Sequence, residues 1–515
     1  MRSRAVLVVL ALLFAGIVAY RSPRSASSLE VVPDSVEYAV VAQRSATLGR
    51  VDIAINGRDW PSRYPPWFSC GVLAPLYRLW PSLPGVGIIA VLFFSLAGIA
   101  AAFRIGVLLS GSSWGGLFAA SLLAAYKGWL YMARLVMTDV PFAAVALWLC
   151  LIYLQIRRQP SMRLYMAAGI LAAIGYALRA EGVVLAIPFL VAGWSDGKNR
   201  TRRMACVALP IATMFAATAA YNRTVFGSAF RTGYQFWCGV PYDYPAMFFG
   251  PRFIGANLHL LAARQSLYAI GIGLAGVILL MRRRTPVHSW TATFALLGVI
   301  PAAAAHLMYA YQGWRFFLPL YALLLIAGGA ALGRIVDSAL GANRRAMMLF
   351  GVGACIVGAL LRPRQPTSDR YTALREIAQF APGNAAVISA LDPVYLEPWA
   401  LRGTHRIAVP LSRQVEYASK CVTPVRIAHP FPPPKSLLDA RSLLASGALE
   451  AIPFTATGSP QKILELLRSG RPVCLEERDA PPDAVSALMH RLTGVTEQPL
   501  APTLAQLELR PAARH

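Results

Sequence analysis

The sequence predicts a polytopic α-helical membrane protein followed by a small soluble α/β domain. Of its 515 residues, 56% are hydrophobic and only 14% are charged, whereas a soluble protein carries about a quarter charged residues. The charge deficit is local, because only ten of the 24 acidic residues precede residue 362. We therefore expect a membrane domain at residues 1–361 and an extracytoplasmic α/β domain at residues 362–515.

Eleven hydrophobic runs are long enough, or nearly so, to span a bilayer, which takes about 20 residues in a straight helix. They lie at residues 5–20, 85–103, 114–126, 140–156, 164–178, 182–194, 204–221, 267–281, 290–309, 316–332 and 346–361. The run 182–194 is the weakest, since it either extends into its neighbours or forms a re-entrant segment. The first run follows Arg2 and Arg4 and also fits a cleaved signal peptide, but no small-x-small site closes it.

Positive charge in the short loops predicts the orientation of these spans. With the N-terminus inside, every inner loop is basic except the tight turn at 110–113. Eight of the ten acids in the membrane part then lie outside, namely Glu30, Asp34, Glu37, Asp52, Asp59, Asp139, Glu181 and Asp243. Acids gathered on one face favour chemistry at that face. The net charge of +25 follows from topology, and no aromatic-interleaved basic module indicates nucleic-acid binding.

The first outer loop carries the segment Pro33-Asp34-Ser35-Val36-Glu37-Tyr38. Asp34 and Glu37 have the spacing of a helix capping box, and the following valines suit a surface helix that ends near Gly49. Two acids at a membrane surface also suit catalysis, so both interpretations stay open. Further along, Arg63-Tyr64-Pro65-Pro66-Trp67 is held extended by its prolines and presents Arg63 beside aromatic rings.

The shorter outer loops place single charges beside predicted spans. Asp139 follows Thr138 at a helix start, where either residue can cap the helix, or Asp139 can serve as a second carboxylate. Arg179 and Glu181 form a tight charged turn, which indicates either an interfacial salt bridge or the wall of a polar pocket. Arg315 begins a span where the helix dipole disfavours a cation, which makes it a candidate for anion binding.

The C-terminal part alternates short strands and helices. Strands are predicted at 385–390, 407–410 and 472–475, because these stretches are short and apolar. Helices are predicted at 371–380, 436–446, 461–469 and 483–493. The seven cysteines include no CxxC pair. Because a disulfide is permitted outside the cytoplasm, Cys421 with Cys474 is the pair we expect.

The order of these motifs resembles bacterial members of the GT-C superfold, the polyprenyl-phosphate-sugar-dependent glycosyltransferases that include protein O-mannosyltransferases and the lipid A aminoarabinose transferase. The resemblance covers residues 1–361 and rests on the motifs already quoted, together with Phe226-Gly227-Ser228 and Trp314-Arg315-Phe316-Phe317-Leu318-Pro319. One departure is Ser35, which stands where the family usually has a second acid directly after the first aspartate. Glu37 is then the acid that can compensate for it.

The resemblance implies a transferase in a bacterial inner membrane, with its active site and C-terminal domain on the periplasmic side. Its substrates would be a polyprenyl-phosphate-linked sugar and an acceptor hydroxyl on a lipid, glycan or protein. A carboxylate takes the acceptor proton, and arginines hold the phosphate. We assign catalysis to Asp34, Asp139 and Glu37. The predicted substrate-binding residues are Tyr38, Arg63, Tyr64, Arg134, Arg179, Glu181 and Arg315.

A divalent metal is compatible with paired carboxylates, although no His or Cys cluster has the spacing of a fixed site. Two other classes of protein were weighed against the transferase. A flippase for a lipid-linked sugar predicts internal repeats, and none is evident. A membrane scaffold that only presents the C-terminal domain does not need several acids and arginines on one face.

Reporter fusions test the predicted topology. A reporter fused after Arg284 should report a cytoplasmic location, and one fused after Pro366 should report an outer location, because three predicted spans separate them. Two reporters on the same side would contradict the helix count, and the clustering of acids on the outer face would lose its basis.

Overall fold

A computed structural model describes most of the chain and divides it into two compact units. The described residues are 33–83, 85–195, 197–237, 249–261, 264–282, 285–309, 313–339, 369–389, 391, 393–401, 403–410, 425–427, 449–451, 460–476, 482–502 and 504–509. The first unit, the helical unit, comprises residues 1–27, 86–221 and 249–364. The second unit, the mixed unit, comprises residues 28–85, 222–248 and 365–515. The first outer loop thus groups with the C-terminal region, a grouping that the sequence does not predict.

Nine apolar helices within the described residues coincide with nine of the predicted runs. Five are long enough to cross a membrane: Ile88–Ser110, Asp139–Arg158, Arg200–Phe226, Pro286–Leu307 and Trp314–Asp337. Four are shorter: Ser113–Ala125, Met162–Leu178, Ala180–Trp194 and Leu267–Met281. Short helices at Lys127–Met132 and Ile254–Leu261 complete the helical unit, with a 3-10 turn at Pro251–Phe253. The runs 5–20 and 346–361 lie outside the described residues.

Two of the spans depart from α-helical geometry. Ala180–Ala186 is a 3-10 helix that continues as the α-helix Ile187–Trp194. Because a 3-10 turn rises about 2.0 Å per residue, these 15 residues reach roughly 25 Å, close to the hydrocarbon thickness. In the span Pro286–Leu307, the π-helical turn Ala295–Val299 precedes Pro301. This wider turn accommodates the missing backbone donor of the proline.

Small residues let the central helices of the helical unit approach closely. A Cβ on Gly329 would lie 2.3 Å from the backbone nitrogen of Ala119, and one on Gly333 would lie 2.1 Å from that of Gly115. Gly329 and Gly333 are four residues apart on one helix, and Gly115 and Ala119 are four residues apart on the other. This spacing brings small residues to one face of each helix. Glycine at 329 and 333 is therefore required by packing against the helix Ser113–Ala125.

The mixed unit begins with the helix Pro33–Leu48. It ends beside Gly49, which has the positive φ of +66° expected of a helix stop, so the predicted end is confirmed. The prediction of a surface helix is wrong, because every residue from 35 to 42 is buried. The hairpin of β1 (Asp52–Ile55) and β2 (Arg58–Pro61) follows. Next come the π-helical turn Trp67–Leu73 and the helix Ala74–Leu79.

The C-terminal region contains a five-stranded sheet. Its strands are β3 (Ala386–Ser389), β4 (Ile407–Pro410), β7 (Val473–Glu476), β8 (Val495–Ala501) and β9 (Leu504–Leu509), in the order β4-β3-β7-β9-β8. The three predicted strands became β3, β4 and β7, which run parallel. The antiparallel strands β8 and β9 were not predicted. A separate pair joins β5 (Val425–Ile427) and β6 (Leu449–Ala451).

Helices cover this sheet and supply its core. They are Asp369–Phe380, Pro393–Leu396, Pro460–Arg468 and Pro482–Arg491, with a π-helical turn at Glu397–Leu401. Ile388, Ile463 and Leu475 are among the buried residues of one cluster, so the predicted α/β character of the C-terminal part is confirmed. The predicted helix 436–446 lies outside the described residues. So does Cys421. Cys474 is a free, buried thiol, so the predicted pairing with Cys421 is not formed in this structure.

The first-loop hairpin is tied to this sheet by one side chain. Asn56 has a left-handed φ of +51° and forms the tight turn with Gly57, the Asn-Gly pair favoured by two-residue hairpins. Its Nδ2 donates to the Ala408 carbonyl at 2.9 Å, and its Oδ1 accepts from the Ala408 amide at 2.7 Å. Ala408 belongs to the edge strand β4. The Asn56 side chain therefore makes the two backbone hydrogen bonds that a neighbouring strand would otherwise make.

Substitution of Asn56 tests this tie. Asn56→Ala removes two hydrogen bonds and places a residue with a Cβ in a left-handed turn, so it should lower the free energy of unfolding by about 2–3 kcal/mol. Asn56→Asp, which tolerates the turn and keeps the acceptor bond, should lose less. Thermal unfolding of the purified protein in detergent measures the order. Equal stability of the alanine variant and the wild type would show that the tie is not structural.

Candidate active site

The first-loop cluster, formed by Asp34, Glu37, Tyr38, Arg63 and Tyr64, gathers five of the predicted site residues in the mixed unit. The helix Pro33–Leu48 presents Asp34, Glu37 and Tyr38 from its first turns. The segment after β2 presents Arg63 and Tyr64. The predicted association of the acidic motif with the double-proline motif is therefore realised in space.

Glu37 joins the two segments of this cluster. Its side chain is fully buried. Its Oε1 accepts from the Ser62 hydroxyl at 3.1 Å and from the Arg63 backbone amide at 2.5 Å. Its Oε2 lies 3.1 Å from Arg63 Nε in an ion pair. A buried carboxylate needs such partners, and these fix the backbone just before Tyr64.

Asp34 is held by Tyr64 but stays partly exposed, unlike Glu37. The Tyr64 hydroxyl donates to Asp34 Oδ1 at 2.6 Å. Burial and then the neighbouring Asp34 carboxylate raise the pKa of the Tyr64 phenol well above its usual range. The phenol therefore keeps its proton and remains a donor. The arrangement offers a carboxylate of fixed orientation that solvent can reach.

Aromatic rings pack around Tyr64, the residue that holds the Asp34 carboxylate. Tyr38 stacks on Tyr64 with 4.6 Å between ring centroids, and Phe68 meets Tyr38 edge to face at 5.4 Å. Tyr234 meets Tyr64 edge to face, with 5.5 Å between ring centroids. Beside it, a Cβ on Gly233 would lie 2.3 Å from the Ser62 carbonyl oxygen, so the short helix Gly233–Trp237 approaches through glycine.

The other acids of this loop have structural partners. Arg44 Nε lies 2.6 Å from Asp52, and its Nη2 lies 2.6 Å from Asp59. Arg50 lies 2.5 Å from the second oxygen of Asp59. Asp52 and Asp59 therefore stabilise the hairpin, and they provide matched controls for Asp34.

The bundle cluster, formed by Asp139, Arg179, Glu181, His306 and Arg315, lies in the helical unit. Asp139 opens the helix Asp139–Arg158, where the Thr138 side chain makes no capping bond. Arg179 Nη1 donates to Asp139 Oδ1 at 2.9 Å, and its Nε donates to Glu181 Oε1 at 2.5 Å. Arg315 Nη1 lies 3.9 Å from Asp139 Oδ2. The cluster thus balances two carboxylates against two guanidinium groups.

Exposure separates the two arginines of the bundle cluster. The Arg179 side chain is 14% exposed, whereas that of Arg315 is 28% exposed. Both guanidinium groups lie over the ring of Phe316, at 5.0 Å and 5.2 Å from its centroid. Arg179 is held between two acids, and Arg315 is the arginine that an arriving anion can reach more readily.

His306 is a member of the bundle cluster that sequence reasoning missed. Its Nε2 lies 3.0 Å from Glu181 Oε1, and its ring stacks on Phe316 with 4.5 Å between centroids and an angle of 5°. A signal existed, because a single ionisable residue inside a predicted span indicates function more often than packing. The small cleft beside it is otherwise mainly apolar, with Phe142, Leu185 and Val299 in its wall.

Arg134, another predicted substrate-binding residue, lies beside aromatic rings. Its guanidinium lies over the Tyr131 ring at 5.4 Å from the centroid, and Tyr131 contacts Trp314 at 6.3 Å. It is thereby linked to Trp314, the residue before Arg315.

A divalent metal finds no ready set of ligands in the described part of the chain. No group of three or more His, Cys, Asp or Glu side chains there is arranged to hold a metal ion. Asp139 and Glu181 each accept a hydrogen bond from Arg179, and a guanidinium in that position competes with a cation. The bundle cluster by itself does not fit a metal.

Comparisons with known proteins identify the fold. No protein-family model matches the sequence, and no curated protein matches it. The crystal structure of ArnT from Cupriavidus metallidurans bound to undecaprenyl phosphate is similar, with a TM-score of 0.59 and 16% identity over 96% of this chain and 97% of that chain. Its apo state gives the same TM-score over 97% of each chain.

A second similar structure is the apo oligosaccharyltransferase of Archaeoglobus fulgidus. Its TM-score is 0.53 with 13% identity, over 79% of this chain and 64% of that chain. At this level of identity the likeness establishes the fold. The nine apolar helices, the C-terminal sheet and the nearly full-length agreement with ArnT show that the chain shares the fold of these solved structures, a polytopic helical part with a C-terminal sheet region.

Proposed function

We propose that the protein is a membrane glycosyltransferase that moves a sugar from a polyprenyl-phosphate donor to an acceptor hydroxyl. The observation that carries this proposal is the likeness to ArnT bound to undecaprenyl phosphate, which extends over 96% of the chain. Fold alone does not fix function, so the assignment also rests on the two clusters. The first-loop cluster offers the accessible carboxylate of Asp34, and the bundle cluster offers the accessible guanidinium of Arg315.

Asp34 is the general base in this proposal. A base must be reachable by the acceptor and held in a fixed orientation. Asp34 meets both conditions, because it is partly exposed and accepts a hydrogen bond from the Tyr64 hydroxyl at 2.6 Å. Tyr38 and Tyr64 form an aromatic wall beside it, which suits the apolar face of a sugar or lipid acceptor.

Glu37 and Arg63 position this base. Glu37 is fully buried and bonded on both oxygens, so a substrate does not reach it directly. Its ion pair with Arg63 holds the segment that carries Tyr64. We therefore assign both residues to the support of Asp34 rather than to contact with the substrate.

Arg315 is the principal ligand of the donor phosphate in this proposal, and Arg134 is the second candidate. Arg179 holds Asp139 and Glu181 in place through its two hydrogen bonds. Asp139 in turn lies 3.9 Å from Arg315 Nη1 and orients that guanidinium. A bound phosphate would accept charge-assisted hydrogen bonds from Arg315.

The reaction is a single displacement. The acceptor oxygen attacks the anomeric carbon while Asp34 takes the hydroxyl proton, and the bond between that carbon and the phosphate oxygen breaks. The electron pair leaves with the lipid phosphate, whose added charge the arginines stabilise. One displacement inverts the anomeric centre. We place the reaction on the periplasmic face of a bacterial inner membrane, as the loop charges predict.

Asp34→Asn tests the base. Asparagine caps a helix about as well as aspartate, so the variant should fold, but its transfer rate should fall about 10²–10⁴-fold because no base remains. The measurement is transfer from a defined polyprenyl-phosphate sugar by purified protein, with thermal stability recorded alongside.

Asp59→Asn is the matched control for Asp34→Asn. It removes an acid from the same loop whose partners are Arg44 and Arg50, and it should transfer sugar at nearly the wild-type rate. Full activity of Asp34→Asn would remove Asp34 from catalysis and leave it as a residue of the helix start.

Arg315→Ala tests the phosphate ligand. Loss of a charge-assisted hydrogen bond costs about 1.5–3 kcal/mol, so kcat/KM for the donor should fall roughly tenfold to a hundredfold. Arg315→Lys should recover part of this loss, because lysine keeps the charge but not the two-pronged geometry. Arg104→Ala, an exposed arginine of the helix Ile88–Ser110, is the control. An unchanged donor dependence in Arg315→Ala would exclude Arg315 from the phosphate site.

A further inference from the structure

His306 is an ionisable side chain inside a membrane span. It belongs to the span Pro286–Leu307, and its side chain is 13% exposed. Ionisable residues within membrane spans are rare because their burial is unfavourable, and they commonly mark functional sites. Its partners are Glu181, through Nε2 at 3.0 Å, and Phe316, through a parallel stack.

The same Glu181 oxygen serves two donors. Oε1 accepts from Arg179 Nε at 2.5 Å and lies 3.0 Å from His306 Nε2. Arg179 continues to Asp139, and Asp139 continues to Arg315. His306 is therefore one end of a connected chain of side chains whose other end is the proposed phosphate ligand.

Counting charge along this chain shows what His306 can add. Asp139 and Glu181 balance Arg179 and Arg315, so the chain is neutral while the imidazole is neutral. When a lipid phosphate takes up the charge of Arg315, the two carboxylates face one remaining guanidinium and the phosphate. In a partly buried site such an imbalance is unfavourable. A proton on His306 beside Glu181 would restore neutrality.

The reaction increases the need for this additional positive charge. The donor is a phosphodiester with one negative charge, and the leaving lipid phosphate is a monoester whose second ionisation lies near pH 6. Negative charge therefore grows at Arg315 as the bond to the sugar breaks. An imidazole takes up or releases a proton between about pH 5 and 8, the range in which this compensation is required.

We propose that His306 is a positioning residue that holds a proton while the lipid phosphate is bound, and so keeps Glu181 and Arg179 in place as charge develops at Arg315. This rests on the proposed function. The proton stays on His306 throughout the transfer, and the acceptor proton goes to Asp34. His306 does not contact the reacting atoms.

The groups that face His306 are few in the described part of the helical unit. The charged or titratable side chains near it are Glu181 and Arg179 from the turn at 179–186, Asp139 from the helix whose Phe142 lines the same cleft, Arg315 from Trp314–Phe317, Tyr309 from its own segment, and the exposed His259 from Ile254–Leu261. Glu181 is the acid that hydrogen-bonds to the imidazole. It is therefore the carboxylate with which a charged imidazole would pair.

Proton uptake on binding tests this inference without turnover. Undecaprenyl phosphate is titrated into the purified full-length protein at pH 7.5, by calorimetry in buffers of different ionisation enthalpy. The wild type should take up more protons per bound lipid, by up to about one, than His306→Gln. Glutamine still donates to Glu181 but cannot hold the proton. Glu181→Gln should abolish the extra uptake as well, and His259→Gln should not.

The pH profile of transfer provides the second readout. His306→Gln should lower kcat roughly tenfold to a hundredfold, as expected for a displaced site, and should lose the decline that the wild type shows as an imidazole deprotonates. His259→Gln should retain both the rate and the profile. A purely structural role for His306 would change the rate but leave the shape of the profile intact.

The outcomes separate this inference from the proposed function. Binding of the lipid phosphate with equal proton uptake in wild type and His306→Gln would overturn the role of His306 alone. A wild-type protein that neither binds the lipid phosphate nor transfers sugar from it would overturn the proposed function, and the inference with it. If His306→Gln does not fold, equal uptake in the wild type and Glu181→Gln would overturn the inference.

Discussion

The bundle cluster depends on the two ion pairs of one group, the Arg179 guanidinium. It lies between Asp139 and Glu181, and both carboxylates are largely buried. Removing one partner of a buried ion pair typically costs about 3–5 kcal/mol, because the other charge is left uncompensated. This requirement fixes the start of the helix Asp139–Arg158 against the 3-10 turn Ala180–Ala186. It also sets the position of Asp139 beside Arg315.

The same physical rule organises the first-loop cluster and gives its two acids different roles. Glu37 is fully buried and is compensated by Arg63 and Ser62. Asp34, one helical turn earlier, is partly exposed and receives a phenol. Environment rather than residue type separates two carboxylates into a support and a candidate base. The buried pair fixes the backbone that carries Tyr64, and Tyr64 orients Asp34.

Irregular helical turns shape the cleft beside the bundle cluster. The 3-10 turn contributes Glu181 and Leu185 to its wall, and the π-helical turn Ala295–Val299 contributes Val299. Such turns often occur at functional sites, because they rotate side chains away from the positions of a regular helix. Here they bring a carboxylate and His306 to the same apolar cleft, where hydrogen bonding between them is the available compensation.

The sequence by itself determined the membrane spans within the described residues, three parallel strands, and the motifs that carry both clusters. Hydrophobic length and turn chemistry are local properties, so they can be recognised along the chain. Tertiary structure alone decided that Glu37 pairs with Arg63, that Arg179 reaches Asp139, and that His306 reaches Glu181. These partners lie far apart in the chain, and several cations could neutralise each acid. Only packing, which buries an acid beside one particular cation, selects the pair.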